Sequence, residues 1–260
     1  MKCSELIRIL QQQSAETYAC EWDNVGLLVG SSKKEIKKVY IALDADDRAV
    51  QEAVDVGADF LLTHHPLIFQ GMKRITDEDF IGRRIMVLIQ AGISYYAMHT
   101  NFDVMGMAQL AAGKIGLLDE GPLEVTCVED GIANGIGRVG NLKTPLLLQE
   151  CCELVKREFE LEQVKVFGTL SKTVKRAAIC PGSGKSDVKW ALRAKADVYI
   201  TGDIDHHTGI DAAAQGMAVI DAGHYGIEHI FISYMAQYIR EHVPDLEVVE
   251  QGKIAPFQIV

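Results

Sequence analysis

The chain alternates between short apolar runs and segments in which apolar residues recur at helical spacing. Residues 38–44 and 60–63 are apolar and rich in β-forming types, which predicts two buried strands. Residues 46–57 and 80–91 have the spacing of amphipathic helices, and Gly57 is typical of a helix end. A strand, a helix and a parallel strand form a right-handed β-α-β unit. The pattern therefore predicts an α/β fold with mixed, largely parallel sheets flanked by helices.

Two adjacent histidines, His64 and His65, directly follow the strand of residues 60–63. Pro66 stops continued pairing, so the chain is expected to turn here. Side chains alternate between the two faces of a strand, and the two imidazoles reach one site only if the chain turns. Open α/β sheets place ligand sites at the carboxyl ends of their strands. Two interpretations stay open for the pair alone: a shared site, or one histidine that caps the sheet and one in solvent.

A second strand end carries His99 and Asp103. Residues 92–98 predict a strand, and the segment HTNFD follows it, so both side chains should lie at the same sheet edge as the histidine pair. Asp103 has a structural alternative as the N-cap of the helix predicted after it. The two roles are compatible, because one carboxylate oxygen is enough for the cap.

The chain contains an internal repeat. Residues 175–203 align without gaps with residues 37–65, at an offset of 138 positions. Both copies predict a strand, a turn, a helix and a strand that ends in threonine. We therefore expect two similar α/β domains, residues 1–125 and residues 126–260, with the C-terminal helix free to pack back on the first domain. Residues 119–136, which carry acidic residues and glycines with little periodicity, mark the predicted boundary.

Strand and helix ends of the second half carry further candidate ligands. His224 and Glu228 lie four residues apart at the start of a predicted helix and so share one face, where they can bind one cation or two adjacent ones. The alternative is that Glu228 stabilises the positive helix N-terminus and His224 neighbours the cap. The other polar residues at these ends are Asp203, Asp205, His206 and His207. Imidazoles and carboxylates together suit Zn, Fe, Mn or Ni, in a site between the two domains.

A strand is predicted over residues 135–142, followed by a helix over residues 144–159 with Pro145 in its first turn. Three glycines of this strand have the spacing G-x-G-x-x-G. No helix opens at the third glycine, which excludes a dinucleotide site.

The segment ICPGSGKS, residues 179–186, resembles a phosphate-binding loop in its letters alone. A Walker loop requires a glycine where this chain has Ile179, so that motif is absent. A glycine-rich turn that opens a helix still attracts anions through its backbone N–H groups, and weak phosphate affinity is a minor hypothesis here.

Composition narrows the classes of function. The 260 residues are 48% hydrophobic and 24% charged, as in an ordinary globular protein. The formal net charge of −10 disfavours a broad surface for nucleic acid or anionic membrane. Residues 4–13 predict an amphipathic helix, and the absence of a long apolar run predicts a cytoplasmic protein without a membrane span. The six cysteines have no framework spacing, which predicts reduced thiols.

Five segments together carry a family resemblance: WDNVGLLVG, LLTHHPLIF, HTNFDV, TGDIDHH and GHYGIE. They resemble the GTP cyclohydrolase I type 2 homolog family, also called the NGG-one-interacting-factor-three-like family of dinuclear metal proteins. The resemblance covers nearly the whole chain. It implies two related α/β domains, two divalent metal ions in each subunit, and a ring-shaped homohexamer with sites that face an internal cavity.

The resemblance also assigns roles to residues. It implies the metal ligands His64, His65, Asp103, His224 and Glu228. His99 and His207 would support the ligands or face the substrate, and His99 is the candidate catalytic proton shuttle, since imidazoles exchange protons near neutral pH. The implied function is metal-dependent hydrolysis of a nucleotide or related small molecule. The alternative is a non-catalytic metal-binding or regulatory hexamer.

Overall fold

The computed structural model describes residues 1–260 and contains two compact units. The first unit comprises Met1–Phe102 and Phe231–Ile254, and the second comprises Asp103–Ile230 and Ala255–Val260. The C-terminal helix thus belongs almost entirely to the first unit. The domain boundary at residues 125 and 126 stays a prediction of the sequence.

Helices and strands alternate along most of the chain. The helices are α1 (Cys3–Gln13), α2 (Asp47–Asp55), α3 (Phe80–Gln90), α4 (Thr100–Phe102), α5 (Ala108–Lys114), α6 (Leu148–Glu158), α7 (Val188–Arg193), α8 (His206–Ala214), α9 (His224–Glu228) and α10 (Ile230–His242). The strands are β1 (Gly26–Val29), β2 (Lys38–Ala42), β3 (Phe60–Thr63), β4 (Ser94–Ala97), β5 (Leu118–Glu129), β6 (Ile132–Leu147), β7 (Lys165–Phe167), β8 (Thr173–Ser183), β9 (Val198–Gly202), β10 (Ala218–Asp221) and β11 (Glu247–Glu250). None of the helices combines the length and apolar character that crossing a lipid bilayer requires.

The first unit is built on a five-stranded sheet with the order β1-β4-β3-β2-β11. Strands β4, β3, β2 and β11 run parallel, and β1 pairs with β4 in the antiparallel direction. Every residue of β3 and β4 is buried. Both faces of these strands are covered, which explains why their sequences are apolar without alternation.

The second unit is built on a six-stranded sheet with the order β5-β6-β8-β9-β10-β7. Its centre, β8-β9-β10, is parallel, whereas the pairs β5-β6, β6-β8 and β10-β7 are antiparallel. The predicted layout of two α/β domains with mixed sheets is therefore confirmed. The antiparallel share is larger in the second sheet than in the first.

Strand register confirms the internal repeat. In the first sheet Val39 pairs with Phe60, and in the second sheet Ala177 pairs with Val198. Both members of the second pair lie 138 positions after their counterparts in the first. The sequence and the strand pairing therefore repeat with the same offset.

A pair of equivalent aspartates ties the amino ends of the central strands together in the same way in both units. The Asp59 carboxylate accepts hydrogen bonds from the backbone N–H groups of Lys37 and Lys38, at 2.9 and 3.1 Å. In the second unit the Asp197 carboxylate accepts from the two N–H groups 138 positions later, both at 2.9 Å. Lys34 and its counterpart Lys172 add a second tie, each through its ammonium group to the carbonyl of the aspartate in its own unit.

Strands β5 and β6 form a long hairpin where the sequence shows little periodicity. The turn consists of Asp130 and Gly131, with φ of +50° and +79°, the conformation that favours Asp-Gly in two-residue hairpin turns. Most of β5 is exposed, and it lies at the edge of the sheet. Its sequence does not alternate because neither face is firmly buried, so the weak pattern reflects an edge strand.

The helix predicted over residues 144–159 is wrong at its start. Pro145 lies in β6, and α6 begins only at Leu148. The pairing of β6 with β8 is irregular between Asn141 and Leu146. A proline, which lacks a backbone N–H, is tolerated in a strand at such an irregularity.

Asp103 does not cap a helix, and that structural alternative is wrong. The helical segment already starts at Thr100 and continues through a π-helical turn, Asp103–Met107, into α5. Asp103 is the first residue of the π-helical turn. Such turns are rare and occur often at functional sites.

Candidate metal centre

The chain turns at the end of β3, as the sequence predicts, and brings two imidazoles together. The backbone N–H groups of His64 and His65 both donate to the carbonyl of Leu43, at 3.2 and 3.0 Å. The Thr63 hydroxyl donates to the His65 carbonyl at 2.8 Å, which holds the turn from its other side. The two imidazole centroids lie 4.8 Å apart. The interpretation of a shared site is therefore the better one for this pair.

His99 joins the pair from the end of β4. Its ring centroid lies 5.3 Å from that of His64 and 5.6 Å from that of His65. One ring nitrogen of each of the three histidines lies within 4.8 Å of the others. His64 is fully buried, and the other two are partly buried. The first unit thus presents three convergent imidazoles at the carboxyl ends of adjacent strands.

The four candidate-site histidines are oriented through the same ring atom, Nδ1, which His229 and His242 also use toward carbonyls three and four residues away. The acceptors are Met98 O for His64 (2.7 Å), Asp44 Oδ1 for His65 (2.8 Å), Asp23 Oδ1 for His99 (2.8 Å) and Asp203 Oδ2 for His224 (2.8 Å). A carbonyl or an ionised carboxylate only accepts hydrogen bonds, so Nδ1 carries the proton in each ring. In a neutral imidazole the lone pair then lies on Nε2, the tautomer of a histidine prepared to bind a metal ion.

Asp23 is the most firmly held of these acceptors. Its side chain is fully buried and accepts hydrogen bonds from His99 and from the backbone N–H and hydroxyl of Thr100. Burial by itself raises the pKa of Asp23, but the hydrogen bonds outweigh it and lower the pKa to about 2. Asp23 is therefore ionised at neutral pH and fixes the orientation of the His99 ring.

The second unit carries His224 and Glu228 at the two ends of α9. His224 Nε2 lies 3.0 Å from Glu228 Oε2, and only 3% of the Glu228 side chain is exposed. Glu228 is the last residue of α9, whereas His224 is its first. A carboxylate at that position does not stabilise the helix N-terminus, so the structural alternative for Glu228 is disfavoured. The pair has the common orientation expected of two ligands.

Gly182 provides the space for the Glu228 carboxylate. Its φ is +79°, and a Cβ atom at this position would lie 2.4 Å from Glu228 Oε1 and 3.7 Å from His224 Nε2. The next glycine of the turn, Gly184, donates its N–H to the Thr201 hydroxyl at 3.0 Å. The turn predicted to attract phosphate therefore packs against the candidate ligand instead, and α7 after it has only six residues.

Asp103 lies near the same region of the second unit as Glu228. Burial raises the pKa of the Cys180 thiol, and the carboxylates of Asp187, Asp103 and Glu228 raise it further. Asp103 and Glu228 are thus both close enough to one buried thiol to affect its ionisation. The second unit places the three predicted ligands Asp103, His224 and Glu228 around β8 and β9.

The remaining polar residues of the second unit have other contacts. Asp205 caps α8 by accepting from Thr208 N at 2.9 Å, and its carboxylate also pairs with Lys185. His206 and His207 are exposed on the first turn of α8, with ring centroids 5.3 Å apart. The role of His207 beside the ligands stays a prediction.

The sequence places Asp203 at this sheet edge but does not assign it to His224, and it gives no sign of the roles of Asp44 and Asp23. Asp44 follows β2, so a strand-end rule applied to every strand would have selected it too. Asp23 lies in the segment Trp22-Asp23-Asn24, outside the helices and strands. Its partner is 76 residues away, and nothing in the local pattern reports that contact.

Comparison with known proteins identifies the family of the chain. Residues 1–254 match the family described as Duf34/NIF3 (NGG1p interacting factor 3). The chain belongs to the Duf34/NIF3 family. A family relative from Lactococcus lactis, named GTP cyclohydrolase 1 type 2 homolog, is 36% identical over 263 residues and covers 99% of both chains.

Solved structures of NIF3-related proteins have the same fold. A Bacillus cereus protein related to NIF3 superposes with a TM-score of 0.93 at 23% identity, over 100% of this chain and 99% of the other. The structure called reduced HcgD, from Methanocaldococcus jannaschii, has a TM-score of 0.83 at 33% identity, over 96% of this chain and 97% of the other. The first likeness shows the fold alone.

The residues of this NIF3-family chain fit a metal site. Histidine nitrogens and carboxylate oxygens are the donors that Zn²⁺ and other first-row divalent ions accept. Metal-binding histidines almost always donate the other ring N–H to a carboxylate or a backbone carbonyl. The four candidate-site imidazoles meet that condition, three of them through a carboxylate.

Proposed function

We propose that this NIF3-family protein binds two divalent cations and hydrolyses a nucleotide or a related small molecule. The proposed ligands are His64, His65, Asp103, His224 and Glu228. The single observation that carries the proposal is that carboxylates 21 to 76 residues away in the sequence anchor Nδ1 of His65, His99 and His224, whereas His242 bonds only to a carbonyl of its own helix. The name of the curated relatives, GTP cyclohydrolase 1 type 2 homolog, supports a purine nucleotide as the substrate.

Two bound cations would supply Lewis-acid activation of water for attack on an electrophilic carbon. The residues of the chain supply the rest. Asp44 and Asp203 hold the rings of His65 and His224 in one orientation, so that these ligands lose little side-chain conformational entropy when a metal ion binds. His99, fixed by Asp23, is the proposed proton shuttle, because its Nε2 can accept a proton while Nδ1 stays bonded to the carboxylate.

The finer form of the proposal is the cyclohydrolase reaction. One water would attack C8 of guanine, and cleavage of the C8–N9 bond would leave a formamide on N7. A second water would hydrolyse this amide, so that formate leaves and N7 becomes a free amine. Both formate and the ring-opened nucleotide can be measured directly.

Elemental analysis of the purified protein and incubation with GTP test the proposal together. We expect about two divalent ions for each chain and release of formate that stops on treatment with a chelator. His64→Ala and Glu228→Ala should each lose metal and activity while circular dichroism shows a folded protein. His242→Ala is the matched control, because His242 donates to Tyr238 O on an exposed face of α10.

Three outcomes would contradict parts of this proposal. Metal that survives both ligand substitutions would refute the ligand set. Metal loss without any turnover of GTP or other nucleotides would favour a non-catalytic metal-binding protein. Activity that persists without metal would refute metal-dependent hydrolysis.

We also propose that the protein assembles as a homohexamer in the cytoplasm, as the family resemblance implies. The β5-β6 hairpin supports self-association, because it lies at a sheet edge and exposes Val125, Val128 and Ile132. Exposed apolar edge strands are templates for pairing with another chain. The mass of the purified protein in solution measures the number of copies.

A further inference from the structure

Two large aromatic side chains of the first unit are exposed rather than buried. Trp22 is 60% exposed and Phe69 is 48% exposed, whereas Tyr95, Phe102 and Phe231 of the same unit are fully buried. The rings of Trp22 and Phe69 contact each other, with centroids 5.8 Å apart and an interplanar angle of 50°. Together they form a tilted apolar surface, called here the aromatic wall.

The aromatic wall is held by the same residues that orient His99. Asp23, next to Trp22, accepts the hydrogen bond from His99 Nδ1. Asn24 donates through its side-chain amide to the carbonyl of Ile68, the neighbour of Phe69. These contacts tie the loop of Trp22 to the loop of Phe69. The wall is therefore positioned by polar contacts while its rings stay accessible.

The aromatic wall lies directly beside the three imidazoles. The His99 ring centroid is 6.1 Å from Trp22 and 6.4 Å from Phe69. On its other sides the same ring contacts His64 and His65. The proposed proton shuttle therefore borders both rings of the aromatic wall.

Another exposed aromatic side chain of the first unit has a different partner. Phe80 lies on α3 beneath the guanidinium of Arg84, which is 5.0 Å from the ring centroid. That pairing explains an exposed ring on an outer helix face. No such pairing accounts for Trp22, whose ring contacts are Phe69 and His99.

We propose that Trp22 and Phe69 bind the planar heteroaromatic ring of the substrate and set its position against His99. This inference rests on the proposed function and deepens it, since it assigns the residues that select a base-bearing substrate. Every nucleobase has a π face, and stacking on an exposed aromatic side chain requires no hydrogen-bond pattern. A tryptophan offers the largest such face among the protein side chains.

Tryptophan fluorescence gives a direct test, because the chain has only two tryptophans. In a Trp190→Phe variant, Trp22 is the only tryptophan. We expect guanosine and GTP to quench its fluorescence in a saturable way, and ribose 5-phosphate, which has no base, to leave it unchanged. A Trp22→Phe variant, in which Trp190 alone reports, should show no saturable change.

Substitutions at Trp22 separate stacking from simple hydrophobic contact. Trp22→Ala should weaken guanosine affinity, measured by calorimetry, by about tenfold, within the range for loss of one stacked base. Trp22→Phe keeps a π face and should recover most of the affinity, whereas Trp22→Leu keeps apolar area alone and should not. In turnover the same loss should raise KM more than it lowers kcat, because the ring is bound in both ground and transition states.

Several results would overturn the inference. Equal affinity of Trp22→Leu and the wild type would show that no π face is needed. Absence of quenching by guanosine would exclude stacking on Trp22. A changed mass in solution for Trp22→Ala, with unchanged affinity for guanosine, would place the aromatic wall in a contact between copies.

The binding measurement needs no turnover, so it distinguishes the two proposals. Trp22-dependent binding of guanosine without formate release would refute the cyclohydrolase reaction and keep the aromatic wall as a base-binding surface. Formate release that no Trp22 substitution changes would support the cyclohydrolase reaction and refute base binding by the aromatic wall.

Discussion

Replacing Asp23 with Asn should destabilise the protein through one buried carboxylate. The ordinary pKa of an aspartate is about 3.9, and that of Asp23 is about 2. At 1.36 kcal/mol for each pKa unit, the charged form is stabilised by roughly 2 to 3 kcal/mol in the folded protein. An asparagine lacks the charge and one of the two acceptor oxygens, so Asp23→Asn should lose about that amount at pH 7.

The pH dependence of this effect has a definite sign. Because the pKa of Asp23 is depressed in the folded state, its contribution is complete above the unfolded pKa near 4. The contribution is lost as the pH falls from about 4 to about 2, where the wild-type carboxylate takes up a proton. The stability difference between wild type and Asp23→Asn should therefore shrink across this range.

Urea denaturation of chelator-treated protein, followed by circular dichroism, measures the difference. Asp47→Asn is the matched control, because Asp47 also accepts a hydrogen bond, from Arg84 at 2.7 Å, but its side chain is 74% exposed. Exposed ion pairs contribute about 0–1 kcal/mol. The reasoning is refuted if Asp23→Asn is no more destabilising than Asp47→Asn, or if its effect is the same at pH 7 and pH 3.

Two further substitutions test other parts of the second unit. Gly182→Ala should lower metal affinity by about tenfold or more, because the new methyl group displaces the Glu228 carboxylate. Gly216→Ala is the control, because Gly216 also has a positive φ, +89°, but has open space around it. It should therefore cause the same backbone strain and leave metal affinity unchanged. Glu124→Gln should stabilise the protein at pH 7, because burial and the neighbouring Asp187 raise the pKa of Glu124 in the folded protein. The stability of the wild type therefore falls as the pH rises above about 4.3, the ordinary pKa of a glutamate, and a glutamine does not show this loss. Chemical denaturation against pH checks the second case, and a Gln variant with the wild-type slope would contradict it.

Buried parallel strands and their polar ends were predictable from the sequence. The apolar run of β3 and the proline after His65 fix a strand and a turn within seven residues, and the pairing confirms both. The repeat was readable for a similar reason, because Asp59 and Asp197 make the same local contacts in both copies. Patterns of this kind are local, and local patterns are what a single sequence displays.

Errors occurred where long-range pairing decides the structure. Pro145 opens a helix by local propensity, yet it lies in a strand because β6 pairs with β8 around an irregularity. The strand β5 has no alternation to detect, although Asp130-Gly131 was an available hairpin signal. The carboxylates bonded to Nδ1 of His65, His99 and His224 lie 21 to 76 residues away, and only the folded chain shows them.

The hydrogen bonds that hold the central strands together and the candidate metal ligands lie at opposite ends of these strands. The lysine and aspartate ties of Lys34 with Asp59, and of Lys172 with Asp197, hold the amino ends, while the candidate ligands lie at the carboxyl ends. A protein engineer could therefore exchange the ligands for others without touching the residues that fasten the scaffold. Because both units show this separation, substitutions at the carboxyl ends leave the amino-end hydrogen bonds of either unit in place.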